Sequence, residues 1–550
     1  MDAAEFKKRG YELIDYIADY LENIRRYKVY PSVKPGYLKA MVPAKAPEKS
    51  EDWDKILGDV DRVIIPGLTH WQSPYFHAYY PSVTSYPSIL ADLLCAGINN
   101  VGFTWAASPA CTELETQMTD WVGQMIGLPE EFLHGEKGNK LGGGVIQPSI
   151  SESTLVCMLA ARAEAVRRYK EKHGENGVDD GTIMSKLVAY GSDQTHSHFE
   201  KDVSIAAVRM NLIETDAPDY NLNGKMLAAA VEKDKAAGLI PFFVCATLGT
   251  TGICTFDDIT SIAPICKKEG MWLHVDAAYA GATFVCPEFR YLGKGIEQAD
   301  SFVFNCAKLF LISYECSILW IKNCTYFFRA FNVEPLYLQH ENTGLAIDYM
   351  HWQLQLSRRF RALKLWFTIR SYGVEGYQKF FRNHVKMGEL FEKTILEDGR
   401  FEIPCKRHLG LLAFRFKGDD GDVKSELLLK RMNQDGRMHC VPCRVKGKYL
   451  IRIVVNHPET SPVDVKRDCD IIFEIATKIE KDLASGKKPK MRYSVCDKDQ
   501  TKVGRRSSIM AEEGNLRWSA TMEGKDECSS KQDSAKKQND RKDKDGNRSA

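Results

Sequence analysis

Between Leu187 and Leu309 the chain alternates short apolar runs with amphipathic stretches, and that alternation leaves few folds open. Leu187–Tyr190, Phe242–Thr247 and Met271–Val275 read as strands, and Asp257–Lys268 reads as a helix between the last two. A strand–helix–strand unit defaults to a parallel sheet with right-handed crossovers. Ligands of such sheets collect at the carboxyl ends of the strands. His196, Thr250, Thr251, Asp276 and Lys308 each follow a predicted strand, so the pattern places five polar groups on one sheet edge.

Two of these residues carry most of the chemistry. Trp-Leu-His-Val-Asp-Ala-Ala-Tyr-Ala-Gly leaves Asp276 at the end of an apolar run, and Ser-Phe-Val-Phe-Asn-Cys-Ala-Lys does the same for Lys308. A carboxylate leaving a buried strand is costly unless a cation meets it. A lysine in that position loses basicity by desolvation and becomes an amine nucleophile. A direct ion pair satisfies both groups. A cofactor between them is the alternative: pyridoxal phosphate requires an amine to hold its aldehyde and a carboxylate to keep its ring nitrogen protonated.

Two further stretches suit such a ligand. His70–Pro87 is dense in aromatics, including Trp71, Tyr75, Phe76, Tyr79 and Tyr80. It reads as core, or as the wall of a pocket for a flat ring with Tyr80 and Ser82 as polar handles. Gly142–Glu152 reads as a glycine-rich loop before a helix over Ser153–Arg167, with Ser149 and Glu152 spaced as a capping box. Ser149, Ser151 and the free N–H groups at the helix start form a candidate phosphate cradle.

Composition excludes several classes. A formal net charge of +2 over 550 residues argues against nucleic acid or an acidic membrane as partner. No apolar run approaches the roughly 20 residues of a membrane span, and the charged start Met-Asp-Ala-Ala-Glu-Phe-Lys-Lys lacks a signal-peptide core. The expectation is a cytoplasmic protein. Sixteen scattered cysteines suit reduced, buried thiols. Cys440-Val-Pro-Cys443 has no second pair at zinc-finger spacing, and no metal site is expected.

Phe6, Leu13, Ile14, Ile17, Leu21 and Ile24 recur at helical spacing. So short an arm needs a surface to cover its apolar face, either elsewhere in the protein or on a partner subunit. A second helix is expected over Trp53–Ile65, after a proline-rich connector. Tyr337–Asp348 reads as an exposed, mobile loop and His351–Arg370 as helical. Strands at Gly410–Phe416 and Tyr449–Val455 with a helix at Val463–Leu483 suggest a terminal α+β unit. The division expected is an N-terminal helical segment (1–85), a large α/β cofactor domain (86–395), a small α+β domain (396–486) and a polar, disordered tail (487–550).

The chain resembles the pyridoxal-phosphate group II amino acid decarboxylases over about residues 1–484. The strings that carry the resemblance are Ser-Pro-Ala-Cys-Thr-Glu-Leu-Glu (108–115), Ala-Thr-Leu-Gly-Thr-Thr-Gly (246–252), His-Val-Asp-Ala-Ala-Tyr-Ala-Gly (274–281) and Arg-Arg-Phe-Arg-Ala-Leu-Lys (358–364). The segments Phe331–Asn342, Asp348–Gln353 and Glu402–Leu411 look most like the animal branch that acts on histidine. Ser357 stands where members acting on aromatic amino acids usually carry glycine.

The resemblance implies a fold-type I α/β architecture, pyridoxal phosphate as cofactor and a homodimer with the active site at the subunit interface. It implies that Lys308 holds the cofactor aldehyde, Asp276 faces the ring nitrogen and His196 stacks on the ring. Ser149, Ser151 and Asn305 would hold the phosphate, with Thr251 and Ala278 beside the cofactor. Trp71, Tyr80, Ser82, His196 and Ser357 would contact the substrate, Val101 and Phe103 would reach in from the second subunit, and Tyr337 would supply a proton. The string Asn305-Cys306-Ala307-Lys308-Leu309 departs from the family's usual Asn-Pro-His or Asn-Pro-Ser before the lysine and Trp after it. Pro148, Ile150 and His198 also depart. The alternatives are an aromatic amino acid substrate, an aldehyde-forming relative (disfavoured by His196, which is Asn in that branch), and an impaired dimeric homologue acting as a binding or scaffold protein.

Overall fold

A computed structural model describes residues 1–135, 141–174, 178–333, 335–455 and 457–486. The tail expected at 487–550 lies outside the described residues.

The central element is a seven-stranded sheet. Its strands are β1 (Gly143–Gln147), β2 (Leu187–Ser192), β3 (Arg209–Ile213), β4 (Ile240–Thr247), β5 (Trp272–Asp276), β6 (Ser301–Asn305) and β7 (Ser317–Ile321). They lie in the order β1-β7-β6-β5-β4-β2-β3. Neighbouring pairs from β6 to β3 are parallel, and β7 pairs antiparallel with both β6 and β1. The fold is therefore α/β with a mostly parallel sheet, as the alternating pattern requires.

Both faces of the sheet are covered. Val244, Ala246, Leu273 and Val275 point into one core, which also holds Met118, Val122 and Ile126 of the helix Pro109–Ile126. Phe243, Cys245 and Trp272, the alternate residues, point into another with Val156, Cys157 and Ala160 of the helix Ile150–His173. The period of two along a strand sends neighbours to opposite faces, and burial on both faces explains why these strands read as continuous apolar runs.

A second sheet is wholly antiparallel, in the order β10-β11-β9-β8, built from β8 (Phe401–Glu402), β9 (Leu411–Phe416), β10 (Val441–Val445) and β11 (Lys448–Val454). Its core sets Leu412, Phe414, Ile451 and Ile453 against Leu428 and Met432 of the helix Gly421–Asp435 and Ile472 and Ile475 of the helix Pro462–Ala484. Ser461 and Asp464 close a reciprocal capping box on the last helix. The arm forms the helix Ala3–Glu22, none of whose residues is buried. Among the described residues no helix is long and apolar enough to cross a membrane.

Two sequence readings need correction. Gly142–Gln147 is not a loop: residues 143–147 form β1, paired with β7 and buried throughout. Its glycines answer to packing, since a Cβ on Gly144 would lie 2.6 Å from Thr119 Cβ and 2.9 Å from Trp320 Nε1. His351–Arg370 is α-helical only from Ala362 onward, after a 3-10 turn over Tyr349–Trp352. Tertiary contacts override helix propensity before that point. Gln353 Nε2 bonds the Leu356 carbonyl, and Arg358 is drawn inward to Glu115, with Nη2 2.5 Å from Oε1 and 3.0 Å from the Ile146 carbonyl.

Candidate active site

Register fixes the geometry at the sheet edge. Thr247, Asp276 and Val303 are neighbours across β4, β5 and β6, so β4 and β5 end together and β6 runs two residues further. Asn305 ends β6 and caps a one-turn helix, Cys306–Leu309; its Oδ1 accepts from Ala307 N at 2.9 Å. The Ala307 N–H also approaches the Cys316 carbonyl at 3.3 Å, and Cys306, Ala307 and Leu309 are all buried. The unusual string around the lysine thus forms a packed, capped turn that aims Lys308 from the sheet edge.

Lys308 meets a cavity of about 940 Å³. Trp71, Tyr79, Tyr80, Ser82, His196, Thr251 and Asn305 line it from the large-sheet side; Val441, Pro442, Cys443 and Arg452 line it from the small sheet. Lys308 Nζ sits 4.5 Å from the centre of the Tyr80 ring. Burial pushes its pKa down to about 8; Asp276 opposes the shift and Arg452 adds to it. An amine of this basicity is partly neutral near physiological pH, as a group that must attack an aldehyde requires.

Tyr80 is itself held on several sides. Its ring stacks on Tyr279 with centroids 4.4 Å apart, and the Arg452 guanidinium lies 4.6 Å from its centre. Its hydroxyl donates to the Thr250 carbonyl at 2.9 Å, and burial raises its pKa strongly. Asp276 is buried; its Oδ1 accepts from Ala278 N at 2.8 Å, which orients the carboxylate. Ala278 returns a carbonyl to Asn305 N at 3.1 Å, tying the two strand ends together.

His196 follows β2 and stands on the cavity wall. Its Nδ1 lies 2.9 Å from His198 Nδ1, and burial lowers its pKa. Ser149 caps the helix Ile150–His173, its Oγ accepting from Glu152 N at 3.2 Å, with Ser151 in the first turn. Asp276, Ala278, Ser149 and Ser151 are not among the residues lining the cavity, and the remaining expected residues also stand apart from it in this chain. Tyr337 is 77% exposed on a short turn, Leu336–Leu338. Val101 and Ser357 are exposed, and the Phe103 carbonyl bonds Met350 N.

Arg452 was not legible in the sequence. It lies within β11, looks like any strand arginine, and reaches the cavity only because the small sheet folds over the large one. It is buried, donates to the Tyr79 carbonyl and leaves Nε and Nη2 without a hydrogen bond. Cys443 joins the same wall, so the C-x-x-C string borders the site through one of its cysteines. Among the described residues no cluster of His, Cys, Asp and Glu is placed to hold a metal ion.

These groups fit pyridoxal phosphate: an amine of lowered basicity, an oriented buried carboxylate, an imidazole on the wall, serines at a helix start, and a buried guanidinium with donors to spare.

Comparison with known proteins agrees. Residues 35–417 match the family model described as the pyridoxal-dependent decarboxylase conserved domain. The chain is 51% identical to histidine decarboxylase of Drosophila melanogaster over 479 residues, which is 87% of this chain and 56% of that protein. It is also 51% identical to aromatic-L-amino-acid decarboxylase of Sus scrofa over 457 residues, 83% of this chain and 93% of that one. The solved structure of Oryza sativa TDC with PLP and tryptamine superposes with a TM-score of 0.83 at 34% identity, covering 87% of this chain and 99% of that one.

Proposed function

The chain belongs to the pyridoxal-dependent decarboxylase family, and from that premise we propose that it converts L-histidine to histamine and carbon dioxide. The observation that carries the reaction class is Lys308, an amine of lowered pKa on the wall of a cavity at the sheet edge where β5 ends in the buried Asp276. The resemblance of the 331–342 and 402–411 segments to the animal branch acting on histidine, with 51% identity to the Drosophila protein, supports the substrate.

When bound, the cofactor supplies an electron-poor ring conjugated to the substrate α-carbon, able to take up the electrons left by carbon dioxide. The protein does the rest. Lys308 would hold the cofactor through its aldehyde, its lowered basicity leaving the amine partly neutral for that bond. Asp276 holds a proton at the ring nitrogen, which stabilises the charge that develops as the carboxylate leaves. His196, on the cavity wall, would face the ring. Ser149, Ser151 and Asn305 would hold the phosphate, with Thr251 and Ala278 beside the cofactor. Tyr80, Ser82 and Trp71 form the substrate wall. Tyr337 carries the proton that reaches the α-carbon, and closure of its loop excludes water.

In this reading the enzyme works as a homodimer. The arm leaves Phe6, Tyr11, Leu13 and Ile14 exposed, and the helix Tyr86–Ile98 leaves Leu90, Leu93, Leu94 and Ile98 exposed, with Val101 just beyond. Apolar faces of this extent suit a subunit interface, and Val101 and Phe103 then reach the partner's cavity.

A second reading, an aromatic amino acid as substrate, is favoured by equal identity to the Sus scrofa protein over almost its full length. Turnover of histidine and dopa by the same holoenzyme separates the two. The proposal expects histidine to have the higher kcat/KM; a higher value for dopa overturns it.

A further inference from the structure

A line of hydrogen bonds runs behind the cavity from His196 to Trp272, and donors at both ends give it one direction. At the cavity end, the His198 backbone N–H, which only donates, lies 3.1 Å from His196 Nδ1. A proton on His196 Nδ1 would point at that N–H, so the contact favours Nδ1 as an acceptor, and the shorter contact from the His198 ring completes the assignment. His198 Nδ1, 2.9 Å away, must then carry the proton between the two rings. In a neutral ring this makes His198 Nε2 an acceptor, and it is met by the Thr154 hydroxyl at 3.2 Å.

The polarity propagates inward. Having donated to His198, Thr154 Oγ1 accepts from His274 Nε2 at 3.2 Å. His274 Nδ1 therefore accepts from Ser301 Oγ at 2.8 Å. Ser301 Oγ accepts in turn from Trp272 Nε1 at 2.8 Å. An indole N–H only donates, so the far end closes with the polarity that the near end requires.

The rings are neutral. Burial lowers both His198 and His274 to a pKa of about 4. The groups facing His198 are Asp276 from β5, Asp202 from its own helix, His196, and Lys308 from the turn after β6. Asp202 and Asp276 each bring an oxygen to 3.9 Å from His198 Nε2, too far to displace Thr154. Burial beside Asp276 raises Asp202 to about 8, so at neutral pH it is mostly the uncharged acid.

We propose that His198 is a positioning residue that fixes His196 as the tautomer with its proton on Nε2, so that the cavity meets a hydrogen-bond donor and not an acceptor. This rests on the reading of His196 as a cofactor-facing group. Among the described residues His196 Nε2 makes no hydrogen bond, which leaves it available to a ligand oxygen. Sequence reading alone marks His198 only as unusual beside His196.

The test uses holoenzyme containing histidine labelled with ring nitrogen-15, the His196 signals being assigned by their loss in His196→Gln. In the wild type His196 Nδ1 should be unprotonated and Nε2 protonated from about pH 6 to 8. His198→Phe removes the shorter ring contact and leaves only the backbone N–H at 3.1 Å, so a partial population protonated at Nδ1 should appear beside the Nε2 form. His198→Asn keeps an N–H near Nδ1 and should restore the wild-type pattern. Thr154→Val breaks the line one step further in and should average both the His198 and His196 signals. In turnover, His198→Phe should lower kcat about tenfold, the equivalent of one such hydrogen bond, with KM within about twofold and the acid limb of the kcat profile moved to higher pH. A proton on His196 Nδ1 in the wild type overturns the proposal, as does an unchanged tautomer in both His198→Phe and Thr154→Val. A fixed Nε2 tautomer in an enzyme that makes no histamine overturns the substrate reading and leaves this proposal standing.

Discussion

Lys308 Nζ lies 4.5 Å from the centre of the Tyr80 ring, whose hydroxyl is anchored to the Thr250 carbonyl. An aromatic face attracts an ammonium, yet burial dominates and the lysine pKa falls from 10.5 to about 8. The amine therefore loses its proton as pH rises through about 8. Capture of pyridoxal phosphate by cofactor-stripped protein, followed by absorbance, should accelerate with a midpoint near that pH. A rate still climbing in proportion to hydroxide above pH 9.5 would show an unperturbed lysine.

Tyr80→Phe keeps the ring beneath Lys308 and removes only the hydroxyl. Loss of that buried hydrogen bond should cost about 1 kcal/mol in denaturant unfolding and leave the Lys308 midpoint in place. Tyr80→Ala removes the ring as well and admits water, so the midpoint should move toward 10.5. Equal midpoints in the two variants would mean that the ring does not shape the lysine environment.

Arg358 and Glu115 form a buried ion pair, 2.5 Å apart, and Glu115 also accepts from Ile146 N at 2.8 Å. Arg358→Met strands a buried carboxylate and should destabilise the fold by about 3–5 kcal/mol. Adding Glu115→Gln removes the stranded charge and should recover part of the loss. Chemical unfolding of the two variants measures the coupling; a single-variant cost below about 1 kcal/mol would place the pair among weak surface interactions.

Tyr337 is exposed in this chain, so the role proposed for it as proton carrier requires loop closure. Tyr337→Phe should slow histamine formation about a hundredfold while histidine still binds. Parallel assay of binding and of amine yield checks this, and an unchanged yield removes Tyr337 from the reaction.

The sequence exposed the parts of this site that depend on local pattern. Asp276 and Lys308 stood out because strand ends are marked by a change from apolar to charged residues, and parallel pairing then aligns those ends. Ser149 was legible as a cap because capping is a local bond. Arg452 and Cys443 were not, since they join the cavity through packing of one sheet over another. The Gly142–Gln147 run misled for a similar reason. Its glycines fit a crowded strand beside Thr119 and Trp320, and nothing in a linear string tells a crowded glycine from a turning one. The segment 353–361 looked helical because its pattern was read without Glu115, which pulls Arg358 inward.

The most direct test of the account is to reduce the holoenzyme with borohydride, digest it and locate the pyridoxyl label. The account predicts a single labelled peptide modified at Lys308, and neither label nor histamine production in Lys308→Ala. A label on another lysine, or none under saturating cofactor, would contradict it.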